Sequence, residues 1–377
     1  MSEAKTYFDE YKKVSEPNKQ ERAKNWGIAI GLQQVDGLTP SKYLVELAKE
    51  NIEGKISLEK VHENLDRYYK TPEGKALGPD KHEADRVSAH ITDLLRDPSF
   101  DFIPTTLCAI HNKLFYDVYP EWAGNIRKTN ITKPEEILNG NTIGYGDKFL
   151  ILDALRKKFD AESAFDYSGL DTREKIEHIA KFISGLWQTH PFREGNTRTI
   201  AVFTIKYLRS QGFEAGNEMF DKHSKYFRNA LVRANYQNLA TNVPYTMEYL
   251  NRFFGNLLLG ENNRLDNADL QLSPVQTAIF TDKKGNIGKN TDKIAEITDK
   301  FGNLTDKIKS AELEFLAAIF DSLADGAEIT NARAQEISGK SAESVKKYFA
   351  ALVAAGVLVA VGERKARKYK LNRKGAE

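Results

Sequence analysis

The sequence predicts a mainly α-helical chain that ends in a small α/β unit. Three observations carry the prediction. Apolar residues recur at spacings of three and four, as in Ile176, Ile179, Ala180, Ile183, Leu186 and Trp187, the period of one buried helix face. Pro191 and Gly195 then punctuate a corner between two such helices. Near the end, Val357-Leu358-Val359-Ala360-Val361 and Arg367 to Leu371 flank Gly362, the pattern of two short strands about a turn.

In chain order, Tyr43, Leu44, Leu47 and Ala48 precede a turn at Gly54, and Leu58, Val61, Leu65 and Tyr68 follow it. These read as a helical hairpin within a unit spanning 1–75. Further on, Asn139-Gly140-Asn141 lies between Ile131 and Ile143, so Asn130 to Tyr145 is expected to form a β-hairpin. The apolar series from Ile176 predicts an amphipathic helix over 172–189, which Pro191 cannot continue. Ile200, Phe203 and Leu208 mark the next helix, which ends before Gly212 and starts near Asn196.

The corner between those helices carries the chemistry. It reads His190-Pro191-Phe192-Arg193-Glu194-Gly195-Asn196-Thr197-Arg198. A helix start presents unpaired N–H groups and a positive dipole end, and Gly195 allows close backbone approach to an anion. Arg198 adds a guanidinium fork suited to phosphate. Glu194 is a hard oxygen ligand suited to Mg²⁺. His190 titrates near neutrality in its ordinary state and can take a proton from a hydroxyl. Without a ligand, the same residues would make an ordinary helix-loop-helix corner with Asn196 as its N-cap.

The stretch resembles the Fic family signature, His-x-Phe-x-(Asp/Glu)-Gly-Asn-x-Arg, at every fixed position; average residue usage gives a chance match on the order of one in 100,000 for a chain this long. Ile110-His111-Asn112-Lys113-Leu114-Phe115 and Trp122-Ala123-Gly124-Asn125-Ile126-Arg127 look like the segments leading into the family's flap. Tyr226 to Tyr236 and Phe253 to Leu259 look like its later helices. The resemblance implies a Fic-type helical bundle over 76–270 with a β-hairpin flap. It also implies transfer of a nucleoside monophosphate, most often AMP from ATP, to a Ser, Thr or Tyr hydroxyl of a target protein. His190 would be the general base and Glu194 the Mg²⁺ ligand. Arg193, Gly195, Asn196, Thr197 and Arg198 would hold the nucleotide phosphates, and Phe192 would anchor the loop. Ile131, Thr132, Ile143 and Tyr145 would present the target segment along the flap as an added strand.

Two departures narrow that implication. Many AMP-transferring members continue Gly-Asn-Gly-Arg-x-x-Arg, whereas Thr197 and Ala201 stand at the second Gly and second Arg here. Ala201 removes the charge expected to hold a γ-phosphate. A kinase-type branch of the family also lacks that Arg, which keeps transfer of the terminal phosphate as the second reading. The unit over 1–75, with Gly54-Lys55-Ile56-Ser57-Leu58-Glu59, resembles the antitoxin-like module of some Fic proteins. Its inhibitory Ser/Thr-x-x-x-Glu-Gly aligns with Leu32-Gln33-Gln34-Val35-Asp36-Gly37. Asp36 is a methylene shorter than Glu and its partner would be Ala201, so charge-based inhibition is expected to have lapsed; the alternative is a unit that only caps the core.

Residues 271–310 form an expected connector. Thr-Asp-Lys recurs at 291, 298 and 305, and Ile294, Ile297, Phe301, Leu304, Ile308 and Ala311 make a heptad seam that can pair two copies or pack back on the chain. The segment 311–377 reads as a winged helix: Leu313 to Leu323, Ala332 to Ile337 and Ser341 to Leu352 as helices, then the strand pair as a wing. From Lys340 onward ten Lys/Arg face three Glu, with Ser341, Ser344 and Lys347 placed for a DNA groove or, alternatively, for protein docking. A DNA-binding regulator with a weakened transfer site is therefore a further reading.

Composition bounds the rest. At 377 residues the chain accommodates two or three domains. One cysteine, Cys108, excludes an intramolecular disulfide and is expected as a buried thiol. No apolar run reaches spanning length and no secretion signal opens the chain, so a cytoplasmic protein without membrane contact is expected. A net charge of +2 says nothing of nucleic acid by itself.

Overall fold

Capping side chains and prolines set many of the helix starts in the order the sequence dictates. The computed structural model describes residues 7–12, 16–215, 218–238, 243–273, 297, 310–362 and 367–372. Thirteen helices precede residue 260 among the described residues: α1 Asp9–Lys12, α2 Pro17–Gly31, α3 Lys42–Ile52, α4 Leu58–Tyr68, α5 Pro72–Ala76, α6 Pro79–Arg96, α7 Pro104–Phe115, α8 Ile151–Ser163, α9 Thr172–Thr189, α10 Asn196–Ser210, α11 Met219–Lys222, α12 Ser224–Asn235 and α13 Glu248–Leu259. Ser41, Ser57 and Thr71 accept from the third residue of α3, α4 and α5, and Asp171 with Glu174 closes a capping box on α9, each satisfying an orphan N–H. Pro72, Pro79 and Pro104 open α5, α6 and α7, where a missing N–H costs nothing.

By its contacts the chain divides into two units. The first comprises Met1–Asn130, Gly144–Gln237 and Pro244–Gln271. Its N-terminal helices bury Trp26, Leu44, Leu47, Ile52, Val61 and Leu65 against Ala89 of α6. The expected hairpin is α3 and α4. Asp85 of α6, wholly buried, accepts from the Ser41 backbone at 2.7 Å, the Ser41 hydroxyl at 2.5 Å and Tyr69 at 2.7 Å, tying this part to the central bundle. Behind α10, rings of Phe102, Phe159, Phe182, Phe203 and Tyr207 pack edge-on and stacked. Cys108 is only half-buried, and burial pushes its thiol up from the ordinary value.

The second unit comprises Ile131–Ile143, Asn238–Val243 and Leu272–Glu377. After α14 Ser310–Ile319 and a 3₁₀ turn, β1 Ile329–Thr330 leads into α15 Asn331–Ser338 and α16 Ala342–Ala354, followed by β2 Leu358–Val361 and β3 Lys368–Leu371. The strands form one antiparallel sheet in the order β1-β3-β2. Phe315, Leu316, Phe349, Leu352, Val357 and Tyr369 fill its core together with Ile297. The expected connector seam lies outside the described residues except for Ile297 and Ala311, as does most of the expected wing turn, 363–366.

One element departs from expectation. Residues 131–143 contain no strand and form no ladder; Glu136–Leu138 is a 3₁₀ turn ended by left-handed Asn139 (φ +50°). Pro134 lacks an N–H for a ladder. Asn139 Nδ2 donates to Leu272 O at 2.9 Å while Leu272 N–H donates to Ile137 O at 2.9 Å, so Leu272 docks on the turn, and the two arms join through Glu135 N–H on Asn141 O and Gly140 N–H on Glu135 O.

Candidate active site

His190 ends α9 in the left-handed conformation, φ +47° and ψ +62°. This turns the chain out of the helix before Pro191, and the imidazole is 5% exposed. Its ring lies 4.2 Å from that of Tyr145 and 5.7 Å, edge-on, from Trp187. Its carbonyl accepts from Arg127 Nε at 2.7 Å.

Asn196 closes the loop beyond. Its Nδ2 donates to Phe192 O at 2.8 Å and its Oδ1 accepts from Phe192 N–H at 2.9 Å. Both ends of the amide are therefore engaged in shaping the loop, and the Asn196 backbone N–H stands at the open start of α10. Gly195 precedes α10 at φ +71°, and a Cβ there would overlap the Phe115 ring. The α10 ladder begins with Thr199 N–H on Gly195 O at 3.0 Å. The N–H groups of Asn196, Thr197 and Arg198 stand ahead of it at the positive end of the helix dipole. The Thr197 hydroxyl accepts from Trp187 Nε1 at 3.0 Å. Arg193 and Glu194 are exposed at the loop tip.

His111 of α7, which sequence reasoning gave no role, underlies this loop. Gly124 N–H donates to its Nδ1 at 2.7 Å, so the proton sits on Nε2, which donates to Glu194 O at 3.1 Å. Its ring stacks on Phe192 at 3.9 Å. Burial, with Arg198 adding to it against the bond to Glu194, pushes its pKa down to about 4. It is a neutral prop at neutral pH.

Arg198 does not open toward the loop mouth. It is 2% exposed, with Nε 2.8 Å from Asp36 Oδ2, Nη2 donating to Glu83 Oε1 at 2.6 Å and Nη1 donating to Gln33 Oε1 at 3.0 Å. The guanidinium also lies 4.9 Å over the Phe115 ring, and Tyr119 donates to Glu83. Burial alone would lower the Arg198 pKa; Asp36 and then Glu83 overcome that and hold it above the ordinary value. Asp36, expected to have lost its partner at Ala201, thus pairs with the arginine three residues earlier, one turn back along α10. Ala201 is fully buried in the core. Asp36 closes a 3₁₀ turn, Leu32–Asp36, ended by left-handed Gly37, which fixes its approach to α10. Gln33 lay in the quoted run without a role, and Glu83 carried no signal at all.

Among the expected flap residues, Tyr145 packs on His190 as above. In the second unit Thr132 is exposed, Ile131 half-buried and Ile143 buried, so Ile143 packs inward. Among the described residues no group of three or more His, Cys, Asp or Glu could hold a metal, and no helix is long and apolar enough to cross a membrane. A single exposed carboxylate, Glu194, fits only a cation ligated mostly by phosphates and water.

This is a helical domain that sets a histidine loop against the start of a second helix, propped from a third. The Fic/DOC family's sequence model matches residues 101–208. A probable protein adenylyltransferase, y4lH of Sinorhizobium fredii, is 32% identical over 165 residues, covering 41% of this chain and 79% of that protein. The protein adenylyltransferase VbhT of Bartonella schoenbuchensis is 34% identical over 104 residues, covering 28% of this chain and 20% of VbhT, so the chain spans about a fifth of that relative's length. Among solved structures, the N-terminal Fic domain of a Bartonella effector protein (Bep) from Bartonella sp. AR 15-3 aligns with a TM-score of 0.38 at 20% identity, over 49% of this chain and 83% of that one. BepC of Bartonella tribocorum with bound AMPPNP aligns with a TM-score of 0.35 at 19% identity, over 53% and 86%. The chain belongs to the Fic/DOC family.

Proposed function

We propose that the protein transfers AMP from ATP to a Ser, Thr or Tyr hydroxyl of a target protein. The observation that carries the reading is the loop itself: His190 and the N–H groups opening α10 are held in one Asn196-closed turn. Both relatives above are named adenylyltransferases, which agrees with it. In the reaction His190 takes the hydroxyl proton and the hydroxyl oxygen bonds to the α-phosphorus. The bond to the bridging oxygen breaks and pyrophosphate leaves. The helix start meets the negative charge that develops on the α-phosphate, and Glu194 would hold Mg²⁺, which would neutralise the leaving pyrophosphate. The chain's own part is positioning and charge stabilisation.

The test is incubation with Mg²⁺ and ATP labelled at the α- or the γ-phosphate. Transfer of α-label that depends on His190 supports the reading; γ-label transfer would replace it with the kinase reading, and neither would sink both. We also read 1–75 as an antitoxin-like module and 311–377 as a winged helix in contact with DNA. Lys346 and Lys347 are exposed on α16 opposite buried Val345 and Phe349, which supports the latter. DNA affinity that falls steeply with salt and is lost on truncation after residue 310 is the expected result.

A further inference from the structure

We propose that Arg127 is a positioning residue that holds the base His190 and both feet of the segment 129–146 in one register. The proposal rests on the transfer reading only for the role of His190 as base. Arg127 is 5% exposed, and burial pushes its pKa down, with Asp147 acting against it. Its guanidinium spans three backbone carbonyls from three stretches of chain. Nε donates to His190 O at 2.7 Å, Nη1 to Thr129 O at 2.5 Å, and Nη2 to Gly146 O. Its own N–H donates to Pro191 O at 2.9 Å.

Each contact has a reason. The carbonyl of His190 lies at the negative end of α9, where a cation is favoured. Thr129 and Gly146 are the residues from which the chain departs into 131–143 and to which it returns. Gly146 is itself pinned to α9: its N–H donates to Gln188 O at 3.2 Å, Gln188 Nε2 donates to Gly144 O at 3.2 Å, and a Cβ on Gly146 would come within 2.9 Å of Thr189 O. Tyr145, between those glycines, is the residue packed on the His190 ring. A planar five-donor fork can serve three fixed acceptors at once; an ammonium on a flexible stem cannot hold the same plane. Arg127 therefore links the two feet of the segment, at Thr129 and Gly146, to where the base points, so that an acceptor hydroxyl held at these feet meets His190 at a fixed offset.

The test uses the full chain with Arg127→Met, Arg127→Lys and Gln188→Ala, read by hydrogen exchange and by transfer kinetics. Arg127→Met should raise exchange at least 10-fold in peptides covering 128–130, 144–147 and 188–192, with α3 and α4 unchanged. It should lower kcat about 30-fold or more while the KM for ATP stays within twofold. Arg127→Lys should recover less than a tenth of the lost rate, and Gln188→Ala should loosen 144–147 alone. A lysine variant equal to wild type in both readouts, or exchange that rises throughout the domain with falling melting temperature, would overturn the proposal. Should the wild-type chain transfer no label, the transfer reading falls, and the exchange pattern still decides whether Arg127 holds these segments together.

Discussion

Removing both carboxylates from Arg198 should destabilise the protein by more than the sum of removing each. At an effective dielectric of about 20, opposite charges some 4 Å apart attract by about 4 kcal/mol. Asp36 and Glu83 approach the guanidinium at 2.8 and 2.6 Å, so each contributes attraction of that order. They also repel each other: two carboxylates on one guanidinium, roughly 7 Å apart, lose about 2 kcal/mol to repulsion. Asp36→Asn or Glu83→Gln alone removes one attraction and that repulsion, a net cost of about 1–2 kcal/mol. The double variant loses both attractions and that single repulsion and leaves Arg198 buried without an anion, which costs about 5–6 kcal/mol. The coupling should thus be about 2 kcal/mol, readable as melting-temperature losses of roughly 2–6 °C for each single variant and 10 °C or more for the pair. Small, additive losses would refute the reasoning, because they would mean that water rather than these two side chains meets the guanidinium charge.

Four further outcomes follow from the same geometry. Asp36→Asn, by removing negative charge beside the α10 start, should tighten MgATP binding about 5- to 10-fold at low salt by calorimetry and less at high salt; unchanged affinity would place the phosphates away from Arg198. His190→Ala should lower α-label transfer by roughly 10²–10⁴ with little change in melting, and a retained rate would remove His190 from the reaction. Gly195→Ala, at φ +71° and facing Phe115, should cost about 2–4 kcal/mol from backbone strain and overpacking together, seen as a lowered denaturant midpoint; an unshifted midpoint would mean that Phe115 can withdraw. His111 and His90 are each pushed down to about 4, chiefly by burial. Between pH 6.5 and 4 the unfolded chain binds protons that the folded one refuses, so stability is full above about 6.5 and falls with pH through that window. His111 alone should account for about 3 kcal/mol, and equal stability at pH 7 and 4.5 would contradict it.

Local grammar made parts of this fold legible. The helix over 172–189 has those bounds because Asp171 and Glu174 cap its start and Pro191 bars its continuation, and the loop residues 190–198 come together because nine consecutive positions can hardly do otherwise. What the sequence hid is whatever arrives from a distance. Glu83 and Gln33 reach Arg198 across 115 and 165 residues, and Arg127 reaches His190 across 63. His111 crosses 83 to hold the Glu194 carbonyl. None of these sits in a period or motif that marks it as polar and buried. The hairpin expected over 130–145 failed for a related reason: Asn139-Gly140 does turn the chain, and Glu135 N–H reaches Asn141 O, but Glu136–Leu138 coils into a 3₁₀ turn on which Leu272, far along the sequence, docks. Strand β1 is two residues long, too short for alternation to show.

The pairing of Asp36 with Arg198 changes what the loss of an arginine at 201 means. Read along the chain, a shortened carboxylate and a missing partner look like one interaction that decayed at both ends. In space, the carboxylate has a partner one turn earlier, and the pair is joined by Glu83, so the cluster carries one net negative charge at the start of α10. An anion that takes Arg198 must first displace an acceptor that the protein already supplies, and by reciprocity the anion weakens the hold of the Leu32–Asp36 turn by the same free energy. With about 1–2 kcal/mol assigned to one carboxylate, that linkage amounts to roughly a factor of ten in affinity. In the proposed reaction, phosphate would instead be met by the backbone N–H groups of Asn196, Thr197 and Arg198 at the start of α10. Under the proposed reading, the helix start and Arg198 are therefore separable: Arg198 is already paired with Asp36 and Glu83.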